Sequence, residues 1–148
     1  MSKAFELFVT LKIPDTTAIT ALQVLKSMGF SEINDLRRVD YYRFLVDADA
    51  ESFKNKIVKA DIIVNANKHS CSFHVPGGSS RLLVRDIENP GEGILKTLKN
   101  RLGFNEIKKV EKGTLWCFDV SSKDPKKLAE KAAKELLVNE HFQEYEVL

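Results

Sequence analysis

Ser27-Met28-Gly29-Phe30-Ser31-Glu32-Ile33 is answered further along the chain by Arg101-Leu102-Gly103-Phe104-Asn105-Glu106-Ile107. Gly103 follows Gly29 by 74 positions, half of the 148 residues. The same shift pairs Leu36 with Val110, Tyr42 with Trp116, Phe44 with Phe118, Val46 with Val120, Val64 with Val138 and Asn65 with Asn139, without a gap. A fixed offset that preserves glycine, aromatic and branched positions together is the mark of one supersecondary unit used twice. The chain therefore reads as a duplicated domain, with repeat 1 over residues 1–75, a linker at 76–80 and repeat 2 over 81–148.

Upstream of the first phrase, Phe5, Leu7, Val9, Leu11 and Ile13 alternate with other residues, the period of a strand with one buried face. Pro14 ends that strand, Asp15 offers an N-cap, and Ile19, Leu22, Leu25 and Met28 define a helix that Gly29 stops. Downstream, Ile33 to Val39 and Tyr41 to Asp47 read as the arms of a hairpin turning near Asp40. A second helix spans Ala50 to Val64, and a short strand, Ser70 to Val75, closes the repeat with Cys71, Phe73 and Val75 on one face.

Pro76-Gly77-Gly78-Ser79-Ser80 is a linker by composition. Beyond it the pattern restarts: strand Leu82 to Ile87, a helix opened by Asn89-Pro90-Gly91 and stopped by Gly103, and a hairpin turning at Lys112-Gly113. A helix capped by Asp124-Pro125 and a closing strand, Glu144 to Leu148, complete the repeat. Each repeat is then strand, helix, strand, strand, helix, strand. The expected fold class is α+β: two tandem ferredoxin-like (βαββαβ) two-layer sandwiches forming an intramolecular pseudo-dimer. Units of about 74 residues are near the lower limit for a self-sufficient core, so each half is expected to lean on its twin or on another protein.

Composition narrows the function. Hydrophobic residues at 43% and charged residues at 30% are ordinary globular values. Lys and Arg number 23 against 21 Asp and Glu, and the lysine clusters are interrupted by acids, which disfavours a nucleic-acid-binding stripe. Cys71 and Cys117 sit at non-equivalent positions outside any Cys-x-x-Cys spacing. With no signal peptide or membrane span in view, a reduced cytoplasmic protein is expected.

Catalytic motifs are missing: there is no P-loop, no Gly-x-Ser-x-Gly and no His-Glu-x-x-His. Gly91-Glu92-Gly93 lacks the third glycine of a dinucleotide fingerprint. His69 and Cys71 face one side of a strand and His74 the other, so the three do not converge on one ion. No catalytic, cofactor-binding or metal-ligating residue is assigned. The candidate interface comprises the aromatic arms Tyr42, Phe44, Trp116 and Phe118, and the terminal-strand residues Phe73, Val75, Tyr145 and Val147, because terminal strands commonly pair across subunits by edge addition.

The run Phe8-Val9-Thr10-Leu11-Lys12, then Leu25-Lys26-Ser27-Met28-Gly29-Phe30, then Ile33-Asn34-Asp35-Leu36-Arg37 resembles PurS, the small subunit of phosphoribosylformylglycinamidine synthase. Asn89-Pro90-Gly91, Leu102-Gly103-Phe104 and Glu135-Leu136-Leu137-Val138-Asn139 carry the likeness through the second half. The family's hairpin signature, an Arg before a Gly-Lys-aromatic turn, is divided: Arg37 keeps the arginine and Gly113 the glycine. The resemblance implies a non-catalytic accessory subunit of purine biosynthesis, without cofactor. It would bridge a glutaminase (PurQ-like) and an ATP-dependent synthetase (PurL-like), and two tandem chains could associate as a homodimer. The competing reading is an ACT-like module that senses a small molecule; a catalytic role for His69 and Cys71 ranks third.

Overall fold

The computed structural model describes residues 2–88 and 91–148. The elements in chain order are β1 (Lys3–Leu11), α1 (Thr16–Ser27), β2 (Ile33–Val46), α2 (Ala50–Ile57), β3 (His69–Ser72), β4 (Ser80–Asp86), α3 (Glu92–Leu102), β5 (Ile107–Val120), α4 (Pro125–Ala132) and β6 (Gln143–Val147). A π-helical turn, Ala133–Leu137, continues α4.

Two hairpins expected from the sequence are absent. Residues 33–46 form one strand and residues 107–120 another, each 14 residues long. Asp40 lies inside β2, flanked by buried Val39 and Tyr41. Gly113 lies inside β5 and lacks a positive φ; it serves close approach instead, since a Cβ there would stand 2.7 Å from the carbonyl oxygen of Val84. Lys112-Gly113 looks like a turn in sequence because glycine supplies turn conformations, but a missing side chain equally lets two backbones close in.

The chain forms two compact units, and their bounds differ from the two sequence repeats. The first unit comprises Met1–Lys12, Asp40–Val75 and Asn89–Lys112; the second comprises Ile13–Val39, Pro76–Glu88 and Gly113–Leu148. Each therefore draws on both repeats. Strands β2 and β5 pass from one unit to the other near their midpoints, where the hairpin turns were expected.

In the first unit the strands lie in the order β3-β1-β2-β5. Strand β1 is antiparallel to β2, with Phe5 opposite Phe44 and Leu7 opposite Tyr42, and antiparallel to β3, with Val9 opposite Cys71. Helices α2 and α3 cover one sheet face. Their Phe53, Ile57 and Leu98 pack with Leu7, Val9, Tyr42, Phe44, Val46 and Ile107 in one core. Phe53 meets Phe44 edge-on at 5.5 Å and Phe104 at 6.4 Å, and burying each such ring contributes about 2–3 kcal/mol.

In the second unit the order is β2-β5-β4-β6, under α1 and α4. Leu82 and Val84 of β4 and Trp116 and Phe118 of β5 pack with Leu25, Ile33, Ala129 and Ala132. Both arrangements, antiparallel strands with two helices on one face, are compatible with a ferredoxin-like order.

Helix ends follow the sequence reading. The Asp15 carboxylate accepts from the backbone N–H groups of Thr17 (3.0 Å) and Ala18 (3.4 Å), and Arg38 donates to it at 2.8 and 3.1 Å. Asp124 caps α4 by accepting from the Lys127 N–H, with Pro125 at the first helical position. Gly29 (φ 101°) and Gly103 (φ 73°) take the left-handed conformation where α1 and α3 stop. The expected entry to α3 at Asn89 and Pro90 lies outside the described residues. Helix α2 ends at Ile57 rather than Val64, although turns carry Ala60, Ile63 and Val64 into the same core.

Candidate interaction site

Strand β1 is covered unequally along its outer edge. Strand β3 pairs with Phe8 to Leu11 only, and Lys3 to Leu7 have no second strand on that side among the described residues. The closing strand of repeat 1 was expected to run to Val75, yet it stops at Ser72. The Ser72 hydroxyl accepts from the N–H of His74 (3.0 Å), a serine turn that peels the backbone away before Phe73 can pair.

Beside that bare edge lies a cavity of about 460 Å³ lined by Ala4, Phe5, Glu6, Arg43, Lys54 and Phe73. The Lys54 ammonium stands 5.6 Å from the centre of the Phe5 ring and 5.1 Å from that of Phe73. Each ring offers its negative face to the cation, an attraction of about 0.5–1 kcal/mol at accessible sites. Among the described residues no carboxylate pairs with Lys54. Two of the residues that line the cavity are engaged: the Tyr41 hydroxyl donates to Glu6 Oε2 at 2.6 Å, and Arg43 reaches Glu111 at 4.0 Å. Burial, and then the hydrogen bond to Glu6, hold the Tyr41 phenol well above its ordinary pKa.

The second unit carries a different hollow. A groove of about 450 Å³ lies over Trp116, between Thr17, Thr20 and Val24 of α1 and Leu136 and Leu137 of the π-helical turn. At the repeat-equivalent positions of the first unit stand Gly91, Ile94 and Leu98, and Ile94 and Leu98 fill that core.

The residues singled out from sequence separate into two groups. Tyr42, Phe44, Trp116 and Phe118 are all buried in unit cores, so their role in the fold is packing against helices. Tyr145 and Val147 are half-buried on β6, opposite Val84 and Leu82. Phe73 is half-buried against Lys54, and Val75 is exposed.

Arg37 donates to the carbonyl of Gly77 at 2.6 Å, and Arg81 to that of Pro76 at 3.1 Å, so the linker is anchored by two guanidinium groups. Beneath it Cys117 is fully buried, and burial raises its thiol pKa. Gly113 packs against β4, as described above. The two remnants of the divided signature thus hold linker and strands in place.

Lys54 and the uncovered edge went unnoticed in the sequence. The signal available was the serine at position 72, where repeat 2 has Glu146 and continues its strand.

The site offers shape, aromatic faces and charge, which suit binding. No group of three or more His, Cys, Asp or Glu side chains is placed to hold a metal among the described residues, and His69 Nδ1 accepts from the Asn65 N–H at 3.0 Å. No helix among them is long and apolar enough to cross a membrane.

Residues 84–148 match the PurS family model, described as phosphoribosylformylglycinamidine (FGAM) synthase. No curated protein matches the chain.

Proposed function

We propose, from the premise that residues 84–148 are a PurS domain, that the chain is an accessory subunit of FGAM synthase which bridges the glutaminase and the ATP-dependent synthetase. The family match carries this reading: it supports a role in FGAM synthase and so in purine biosynthesis. Residues 1–75 repeat the same pattern at the 74-residue shift, which supports a PurS-like origin for them too. On this view a duplicated pair of ferredoxin-like units exchanged their central segments, giving two units that each combine both repeats.

An accessory role agrees with the chemistry in hand. The reaction joins ammonia from glutamine to a formylglycinamide ribonucleotide at the expense of ATP, and a chain that contributes no step needs docking surfaces for the two catalytic subunits. Purified chain added to PurQ-like and PurL-like subunits is expected to raise glutamine-dependent amidine formation and to co-elute with them. Equal glutamine-dependent rates with and without the chain would reject the proposal.

A second reading, an ACT-like sensing module, is favoured by the groove over Trp116, whose hydroxyl and aliphatic lining suits a small amphiphilic ligand. It predicts saturable heat on titration with amino acids or nucleotides.

A further inference from the structure

The groove over Trp116 sets an aliphatic wall beside hydrogen-bonding groups that have nothing to bind. Helix α1 lines it with Thr17, Thr20 and Val24, and the π-helical turn with Leu136 and Leu137. Val24 and Leu136 are 37% and 39% exposed, so much of that wall still meets water. The indole N–H of Trp116 finds no acceptor among the described residues and keeps contact with solvent. A tryptophan this buried ordinarily has a partner for its N–H. The hydroxyls of Thr17 and Thr20 are likewise unpaired among the described residues, whereas those of Ser27 and Thr97 donate back to the carbonyls of Val24 and Gly93.

Charge is kept away from this groove. In the first unit Tyr42 takes the place of Trp116, since Leu7 lies opposite Tyr42 as Leu82 lies opposite Trp116. The Lys112 ammonium stands 5.9 Å from the centre of the Tyr42 ring. Arg38 corresponds to Lys112 at the 74-residue shift, but it is drawn onto the Asp15 carboxylate, and no cation stands over Trp116 among the described residues. No charged side chain lines the groove among them either. The wall opposite α1 is a π-helical turn, in which the Val138 N–H donates to the Ala133 carbonyl at 3.0 Å, and such turns are frequent at functional sites.

We infer that this groove binds an uncharged small amphiphile, a molecule with a hydrogen-bond acceptor such as an amide or ketone oxygen on a hydrocarbon body. The acceptor takes the Trp116 N–H and a threonine hydroxyl. The hydrocarbon covers Val24, Leu136 and Leu137 and removes their apolar surface from water. A net charge on the ligand is disfavoured, because a charge that leaves water without a counter-charge keeps its desolvation cost. The inference stands apart from the FGAM synthase reading, and it narrows the sensing reading to ligands other than zwitterionic amino acids and phosphate-bearing nucleotides.

Trp116 is the single tryptophan of the chain, so its emission reports on this groove. The intact chain is titrated with hexanamide, hexanoate and hexylammonium, which share a hydrocarbon chain and differ in charge. Hexanamide at millimolar concentration is expected to shift the emission saturably, and each ion to bind more weakly by about fivefold or more. Thr20→Phe, which sets a ring into the groove from an exposed helical position, should abolish the shift. Thr20→Val, which keeps the shape and removes the hydroxyl, should weaken hexanamide about threefold to tenfold, and it serves if the phenylalanine variant unfolds. No saturable shift with hexanamide, either ion binding as tightly, or unaltered binding by either folded variant would each overturn the inference. Saturable binding of an amino acid or a nucleotide without hexanamide would overturn it too, while leaving the sensing reading in place.

Discussion

Replacing Gly113 by alanine is the sharpest probe of the continuous β5 strand. A Cβ at this position would lie 2.7 Å from the Val84 carbonyl oxygen, 3.0 Å from Arg85 Cγ and 3.2 Å from Leu83 Cδ1. Flexible ends such as the arginine stem can yield, but the carbonyl belongs to the backbone of β4, which pairs with β5 at the neighbouring Val84 and Thr114. Relief requires the two strands to part by several tenths of an ångström, and overpacking of this kind costs about 1–3 kcal/mol. The unfolded chain gives back about 0.4–1 kcal/mol, because alanine has fewer conformations to lose. A net loss of about 1–2 kcal/mol should lower the urea midpoint, with a fall in the melting temperature of about 3–8 °C for a chain of this size. Gly93→Ala is the control, since nothing lies within 4 Å of a Cβ there, and it should leave stability equal or slightly higher. A Gly113→Ala chain as stable as its parent would refute the close approach of β4 and β5.

The helix stops and the buried tyrosines are open to test by the same melts. A Cβ at Gly29 or Gly103 meets no atom within 4 Å, so Gly29→Val and Gly103→Val are expected to cost about 1 kcal/mol or more each through backbone strain at a positive φ; unchanged urea midpoints would contradict the left-handed caps. Burial, and then the Asp40 charge, push the Tyr42 phenol up to about 12, so between pH 10 and 12 the folded state holds a proton that the unfolded chain releases. Stability is fully present below pH 10 and falls above it by about 1.4 kcal/mol per pH unit for each such phenol. Tyr42→Phe should flatten that alkaline slope, and an unaltered slope would remove Tyr42 from the account.

Much of the fold was legible in local patterns. Alternation in Phe5 to Leu11, the Asp15 and Asp124 caps and the glycine stops each depend on neighbours within a few residues, and each survives in the structure. The central strands misled because their core-facing residues change phase. Ile33 and Leu36 share one core although three residues apart, and so do Ile107 and Val110 in the other. Period-two reading interprets such a break as the end of a strand, and Asp40 and Lys112-Gly113 then suggest turns. Whether a strand doubles back or runs on is decided by what lies beside it, which no window of sequence contains. The bare outer edge of β1 escaped for the same reason. Ser72 is unremarkable alone and acquires meaning only beside the longer pairing of β6.

Continuous strands in place of hairpins change what a repeat can do by itself. Repeat 1 contributes β1, the second part of β2, α2 and β3 to the first unit, whose core also needs Leu98, Phe104, Ile107 and Val110 from repeat 2. The second unit likewise takes Leu25, Phe30, Ile33 and Leu36 from repeat 1. Residues 1–75 produced alone therefore lack part of either core. They can recover it in two ways: by folding β2 back at Asp40 into the hairpin that the sequence suggested, or by exchanging segments with a second copy, as in a domain-swapped dimer. The buried pair Val39 and Tyr41 beside Asp40 opposes the first route, because a turn there would pull both from their packing. Separate halves are expected to be unfolded or self-associated, and mixing 1–75 with 81–148 should restore a 1:1 complex with the cooperative melt of the parent. A monomeric, cooperatively folded 1–75 fragment by sedimentation and circular dichroism would show that the long strand is dispensable and would return the repeat to the standing of an independent domain.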